Sequence, residues 1–222
     1  MPKKISLPLL FLVVSNLMPL VGVFYANWDA AIILLLYWAE NLVIGFFNIF
    51  KMLTIAPAGL SSVLGGLGMS VFFLMHYGGF TGAHGLFLIE FLHLDSGVGV
   101  RDVFANDWWG PLAFVQLLVG VIIKLWGHMP EGMIWALLAL FFSHAASYGY
   151  NYIWLGENRN TSINQLMQAP YRRIVILHIA IIAGGMFVLK QGSPIPLLII
   201  LVLIKIVMDI KLHNKEHRQQ AI

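Results

Sequence analysis

The chain has 222 residues, of which 59% are hydrophobic and only 10% are charged, and its mean hydropathy is +0.84. In soluble domains roughly a quarter of all residues are charged, so this composition is typical of an integral membrane protein. The formal net charge of +3 does not imply nucleic acid, because basic residues in membrane proteins collect in loops and set topology. The absence of cysteine excludes disulfides, thiolate metal sites and covalently attached haem.

Seven apolar segments follow one another along the chain, and most are close to the roughly 20 residues that a bilayer requires. They comprise residues 5–25, 30–53, 62–92, 110–126, 133–155, 171–189 and 194–212. The first segment follows Lys3 and Lys4, as in a signal peptide, but Asn16 and Pro19 interrupt it and a poor cleavage site follows. We therefore expect a retained first helix.

The third and fourth segments depart from the usual length of a span. Residues 62–92 are too long for one simple span, and the glycine-rich sequence HYGGFTGAHG at their centre predicts a kink or a break. Residues 110–126 are short and contain Lys124, so we expect a tilted, re-entrant or interfacial helix. The fold class is therefore an all-α integral membrane bundle of six to seven transmembrane helices, in a single domain of residues 1–222.

The distribution of Lys and Arg leaves the side of the N-terminus open, because seven spans place it outside and six spans place it in the cytoplasm. Both arrangements put the basic C-terminal tail, about residues 211–222, in the cytoplasm. We expect a multi-pass membrane protein, with the lipid bilayer as its partner and no nucleic acid. A second copy of the chain or another membrane subunit remains open as a further partner.

Ionisable side chains inside the apolar segments are the most informative residues, because a charge in hydrocarbon is costly and marks a functional site by default. Glu40 lies near the middle of the second segment. Asn41, Gly45 and Asn48 fall at i, i+4 and i+7 and form a polar stripe that points toward other helices. The sequence predicts that Glu40 is a metal ligand or a catalytic general base.

Four histidines in three further segments complete the candidate ligands: His76, His84, His144 and His178. His76 and His84 are about 12 Å apart in height on a straight helix, and we expect both to face the bundle interior. His144 and His178 lie at comparable depths if their segments are antiparallel. Imidazole and carboxylate suit zinc, iron or copper, so the sequence predicts a buried metal ion (zinc or iron) or haem b. The alternative is that each histidine only joins packed helices.

Two adjacent arginines, Arg172 and Arg173, follow Pro170 at the start of the sixth segment. Free backbone N–H groups at a helix start also favour anions, so we expect this pair to hold an anionic lipid or substrate head group. Ordinary anchoring to lipid phosphate is the alternative.

Four stretches together resemble a bacterial integral membrane family of unknown function, family 6498: YWAENLVIGFFNIFKM, HYGGFTGAHGLFL, SHAASYGYNYI and APYRRIVILHIAIIAGG. The resemblance covers nearly the whole chain and implies a single polytopic domain of the bacterial inner (cytoplasmic) membrane, without an established chemistry. The motif positions that it implies are Glu40, Asn41, His76, His84, His144, Asn151, Glu157, Arg173 and His178.

Three function classes remain open from the sequence. A membrane metalloenzyme would use the histidines and Glu40 on a lipid-like or anionic substrate held by the arginines. A proton- or ion-coupled transporter or channel would use the same Glu and His residues as a relay. A non-catalytic membrane subunit would use them for packing or for holding a cofactor. The polar residues expected to support the site are Asn41, Asn48, Ser147, Asn151 and Glu157.

Overall fold

The computed structural model of the chain describes residues 17, 19–55, 59–92, 108–127, 129 and 133–219. All regular structure in these residues is helical, and no strand occurs among them. We label the α-helices of these residues in chain order as α1 (Ala30–Leu53), α2 (Leu60–Phe91), α3 (Leu112–Gly127), α4 (Met133–Ser147), α5 (Ile163–Gln168), α6 (Tyr171–Gln191) and α7 (Ile195–Gln219). Between α4 and α5 lie a π-helix, Tyr148–Trp154, and a 3₁₀ turn, Glu157–Arg159.

Four stretches of the described residues are long and apolar enough to cross a membrane: Ala30–Leu53, Val63–Glu90, Met133–Trp154 and Ile163–Gly184. Two shorter apolar helices are Leu112–Gly127 and Ile195–Met208. The predicted all-α fold is confirmed for this part of the chain, whereas the count of six or seven spans stays a prediction. The first predicted segment, 5–25, lies mostly outside the described residues. Within this segment, residues 19–25 are described and are helical.

The chain divides into two compact units. Residues 35–175 form what we call the central unit, and the residues before 35 together with those from 176 onward form the terminal unit. In the terminal unit α6 approaches α7 closely, because a Cβ atom on Gly184 would lie 2.6 Å from the Cα atom of Leu197. Helix α7 continues to Gln219, so most of the predicted tail is helical. The single domain stays a prediction.

Glycines on α2 form the surface on which α3 packs in the central unit. A Cβ atom on Gly82 would lie 3.0 Å from the backbone nitrogen of Leu118, and one on Gly85 would lie 2.5 Å from a methyl group of Val121. Helix α2 runs without interruption through HYGGFTGAHG for 32 residues. The predicted break is therefore wrong, whereas the kink stays a prediction. The glycines let a neighbouring helix approach.

Two aromatic side chains join α1 to α2. The buried indole of Trp38 donates a hydrogen bond from Nε1 to the carbonyl oxygen of Thr81 at 2.8 Å. Tyr77 donates from its hydroxyl to the carbonyl oxygen of Asn41 at 3.1 Å, and its ring lies against Gly45. Because buried polar groups are costly without partners, these bonds fix which faces of the two helices meet.

The C-terminal end of α1 is held by side chains from the π-helix region. Tyr152 donates its hydroxyl to the carbonyl oxygen of Lys51 at 2.8 Å, and Asn158 donates to that of Thr54 at 3.4 Å. The hydroxyls of Tyr148 and Thr54 lie 3.0 Å apart. The last carbonyl groups of a helix lack partners within the helix, so these contacts both satisfy them and position the π-helix.

Replacement of Gly82 by valine should separate α2 from α3, because the new side chain meets the backbone of Leu118, which cannot rotate away. We expect a loss of about 1–3 kcal/mol in the free energy of unfolding, measured by denaturant titration in detergent. The matched control is Gly65→Val on the same helix, where a Cβ atom meets nothing within 4 Å. Equal losses in both variants would contradict this assignment of the packing surface.

Candidate functional site

An ion pair joins the middle of α1 to the start of α6 within the central unit. The Oε1 atom of Glu40 lies 2.8 Å from Nη1 of Arg173, and the Glu40 side chain is only 16% exposed. Both residues lie in stretches that are long and apolar enough to cross a membrane. An unpaired charge in such surroundings is costly, and here each side chain offsets the charge of the other.

A cavity of about 330 Å³ lies beside this ion pair, and we call it the basic cavity. Its lining residues are Ile44, Phe47, Asn48, Lys51, His144, Ser147, Ala169, Pro170 and Arg173. Lys51, His144 and Arg173 bring nitrogen atoms that are positive or can become positive. Arg173 also pairs with Glu40, so the carboxylate adjoins the same set of ionisable side chains.

The basic cavity follows one face of α1. Glu40, Ile44, Phe47 and Lys51 fall at i, i+4, i+7 and i+11, a spacing that places them on the same side of a helix. Lys51 therefore lies about 16 Å from Glu40 along the helix axis. Reasoning from the sequence missed Lys51 as a site residue. Its position three helical turns after Glu40 could have indicated that Lys51 lies on the same face of the helix as Glu40.

A second cavity of about 690 Å³ lies where the loops around α5 meet the end of α1, and we call it the loop cavity. Its lining residues are Lys51, Tyr152, Glu157, Thr161, Gln165, Leu166, Gln168, Ala169, Tyr171, Arg172 and Val175. Arg172 and Arg173 thus line different cavities, since adjacent residues of a helix point about 100° apart. That the two arginines hold one head group together stays a prediction, and each of them lines a different cavity.

The predicted supporting residues lie close to these cavities or hold their walls. The buried Asn48 donates from Nδ2 to the carbonyl oxygen of Leu166 at 2.9 Å, which ties α1 to α5. Asn151 donates to the hydroxyl oxygen of Ser147 at 3.2 Å. Asn41 is buried and donates to a backbone carbonyl one turn earlier in α1. Asn48 and Ser147 therefore line the basic cavity, and Asn151 contacts it through Ser147.

The four predicted histidines have different surroundings. His76 is exposed, and its Nδ1 atom lies 2.6 Å from the hydroxyl of Tyr171. His84 is fully buried in α2, and His144 lines the basic cavity. His178 belongs to the terminal unit, where its side chain is exposed. The expectation that both His76 and His84 face the interior therefore holds for His84 and fails for His76.

The predicted metal or haem site gains no support from this arrangement. Among the residues that the structure describes, no group of three or more His, Asp or Glu side chains could hold a metal ion. His144 instead shares its cavity with Lys51 and Arg173, whose positive charges disfavour a metal cation. The histidine cluster inferred from sequence spacing is thus not supported in this part of the chain.

An apolar crevice of about 340 Å³ lies between α1, α2, α3 and α4. Phe141 lines this crevice, whereas Phe47 lines the basic cavity. The two ring centroids are 5.1 Å apart, and the Phe46 ring lies 5.7 Å from that of Phe141. Packed aromatic rings therefore separate the apolar crevice from the polar site.

The fold and the site together define a helical protein with stretches of membrane-spanning length and an ion pair between two of them. The chain belongs to the family of unknown function DUF6498, whose model matches residues 2–221. Comparison with curated proteins and with solved structures gives no match. This match confirms the resemblance seen in the sequence. The family has no known function, so the function is inferred from the residues of the site.

Removal of one partner of the ion pair should destabilise the protein more than removal of both. We expect Glu40→Gln and Arg173→Gln each to lower the free energy of unfolding by about 1–3 kcal/mol, less than for a fully buried pair because Arg173 is 40% exposed. The double variant should recover part of this loss. Denaturant titration of all four proteins gives the coupling energy, and Glu157→Gln controls for charge removal. Strictly additive losses would exclude a stabilising pair.

Proposed function

We propose that the chain is a multi-pass membrane protein that binds the anionic head group of a lipid-like molecule in the basic cavity. The observation that carries this proposal is the joint presence of Lys51, His144 and Arg173 in one cavity of about 330 Å³. A head group with a phosphate or a carboxylate matches such a lining, because both accept hydrogen bonds from ammonium and guanidinium groups.

The charge of the site favours an anion over a metal ion. Glu40 pairs with Arg173 at 2.8 Å and offsets one positive charge, which leaves the ammonium group of Lys51 as excess. His144 adds a hydrogen-bonding ring nitrogen to the same cavity. Glu40 acts in this proposal as the charge partner of Arg173, which differs from the ligand or general base that the sequence predicts.

The surroundings of the cavity favour a ligand with an apolar part. The Arg173 side chain is 40% exposed, so the basic cavity is open at the surface of the chain. Large apolar side chains are exposed on the helices that border it, including Phe50 on α1 and Phe142 on α4. A head group in the cavity can therefore leave its hydrocarbon part against these side chains, in contact with lipid.

Titration with dihexanoyl phosphatidylglycerol tests the proposal, and dihexanoyl phosphatidylcholine serves as the ligand without net charge. Native mass spectrometry or calorimetry in detergent should show preferential binding of phosphatidylglycerol. Lys51→Gln should weaken that binding about tenfold, as expected for the loss of one charged hydrogen bond. The matched control is Lys190→Gln, an exposed lysine of the terminal unit. Equal affinity for both lipids, or equal effects of the two lysine substitutions, would contradict the proposal.

The ion pair favours proton-coupled transport as a second candidate function. Glu40 and Arg173 lie in two stretches of spanning length, and Arg173 lines the same cavity as His144. An anion that binds Arg173 competes with the Glu40 carboxylate, which then becomes free to take up a proton. Binding of an anion and of a proton would thus be linked at one site.

Proton movement can be measured in proteoliposomes that carry a pH-sensitive dye and a pH gradient. If the protein couples anion and proton movement, inward movement of an added short-chain phosphatidylglycerol should speed the decay of the gradient. Glu40→Gln should abolish this effect, because an amide cannot take up the proton. Glu90→Gln, at an exposed position on α2, is the control. A decay that is insensitive to Glu40→Gln would reject this second function.

A further inference from the structure

The loop cavity contains two cationic side chains and one anionic side chain that the proposed function does not use as a set. Lys51 and Arg172 carry positive charge, Glu157 carries negative charge, and Thr161 and Gln165 add neutral polar groups. We propose that this cavity is a second binding site, sharing Lys51 with the basic cavity, for a zwitterionic head group that joins a phosphate to a primary amine, as in ethanolamine phosphate.

Charge complementarity selects this ligand class. A phosphate accepts hydrogen bonds from the guanidinium of Arg172 and the ammonium of Lys51, which together balance its charge. The amine of the same ligand donates to the Glu157 carboxylate, which a purely anionic ligand would leave without a partner and would repel. Glu157 is therefore the residue that distinguishes a zwitterion from a simple anion.

The size of the loop cavity fits such a ligand. Its volume of about 690 Å³ is twice that of the basic cavity and lies within the usual range of small-molecule sites. The cavity therefore has room for the head group of a phospholipid and for bridging waters as well as for free ethanolamine phosphate.

Several walls of the loop cavity are fixed before any ligand binds. Tyr152 is bonded to the backbone of Lys51 at 2.8 Å, and the hydroxyl of Tyr171 lies 2.6 Å from Nδ1 of His76. Helix α5 begins with a capping box in which the side chains and backbones of Ser162 and Gln165 bond reciprocally. A wall that is already ordered loses little conformational entropy on binding, which favours a specific site.

Adjacent arginines allow the loop cavity to be tested separately from the basic cavity. Arg172 lines the loop cavity and Arg173 lines the basic cavity. Arg173→Gln measured with phosphatidylglycerol reports on the proposed function, whereas Arg172→Gln measured with ethanolamine phosphate reports on the present inference. Either proposal can therefore fail while the other stands.

Isothermal titration calorimetry of the purified full chain in detergent should compare ethanolamine phosphate with phosphocholine and inorganic phosphate. Phosphocholine has a bulky quaternary ammonium group. Its nitrogen carries no hydrogen, so it cannot donate a hydrogen bond to Glu157. We expect ethanolamine phosphate to bind at least about tenfold more tightly than either comparison ligand. A second titration with dihexanoyl phosphatidylethanolamine distinguishes the source: tighter binding than ethanolamine phosphate indicates a membrane lipid, and weaker binding indicates a soluble compound.

Substitutions then assign the contacts. Glu157→Gln should abolish the preference for ethanolamine phosphate over phosphocholine, and Arg172→Gln should weaken both about tenfold. Arg159→Gln, an exposed arginine of the same loop that does not line the cavity, should change neither. Equal binding of the two ligands by the unaltered protein would overturn the proposal without any variant. A preference that survives Glu157→Gln would overturn it as well.

Discussion

The ion pair between Glu40 and Arg173 is the constraint on which the rest of the central unit depends. A carboxylate in the middle of an apolar helix requires a positive partner, and here that partner comes from the first turn of α6. The start of α6 must therefore lie beside the middle of α1. The segment before it, residues 155–170, is carried alongside the end of α1, where Asn48 bonds to α5. Both polar cavities follow from this placement.

Hydropathy predicts the long helices because a helix in an apolar environment must satisfy its own backbone. For this reason the predicted segment 30–53 coincides with the helix Ala30–Leu53 of the structure. The short helix α5 is different, because its six residues carry no hydropathy signal. Only the Ser162 to Gln165 spacing, typical of a capping box, indicates it. Local capping signals are weak on their own, and α5 lies between two of the predicted apolar segments, 133–155 and 171–189.

The histidines show why spacing predicts position along a helix better than it predicts partners. Depth follows directly from residue number, but contact also requires the azimuth of each helix, which only packing determines. His76 lies within hydrogen-bonding distance of a tyrosine hydroxyl, and His144 lines a polar cavity. Neither imidazole therefore requires a metal ion to satisfy its ring nitrogens. Lys51 was not predicted as a site residue because a lysine near the end of a membrane-spanning helix is ordinarily taken to set the orientation of that helix in the membrane.

The π-helix at Tyr148–Trp154 has a consequence for how this family can change through insertions and deletions. A π-helix accommodates one residue more than an α-helix over the same stretch. Deletion of a single residue there would restore α-helical bonding and leave the segments on its two sides in nearly the same orientation. Deletion of a second residue would rotate these segments by about 100° relative to each other, so that Tyr152 and His144 would no longer face the same helix. The stretch can therefore lose one residue, but not two, without moving its contacts away from α1.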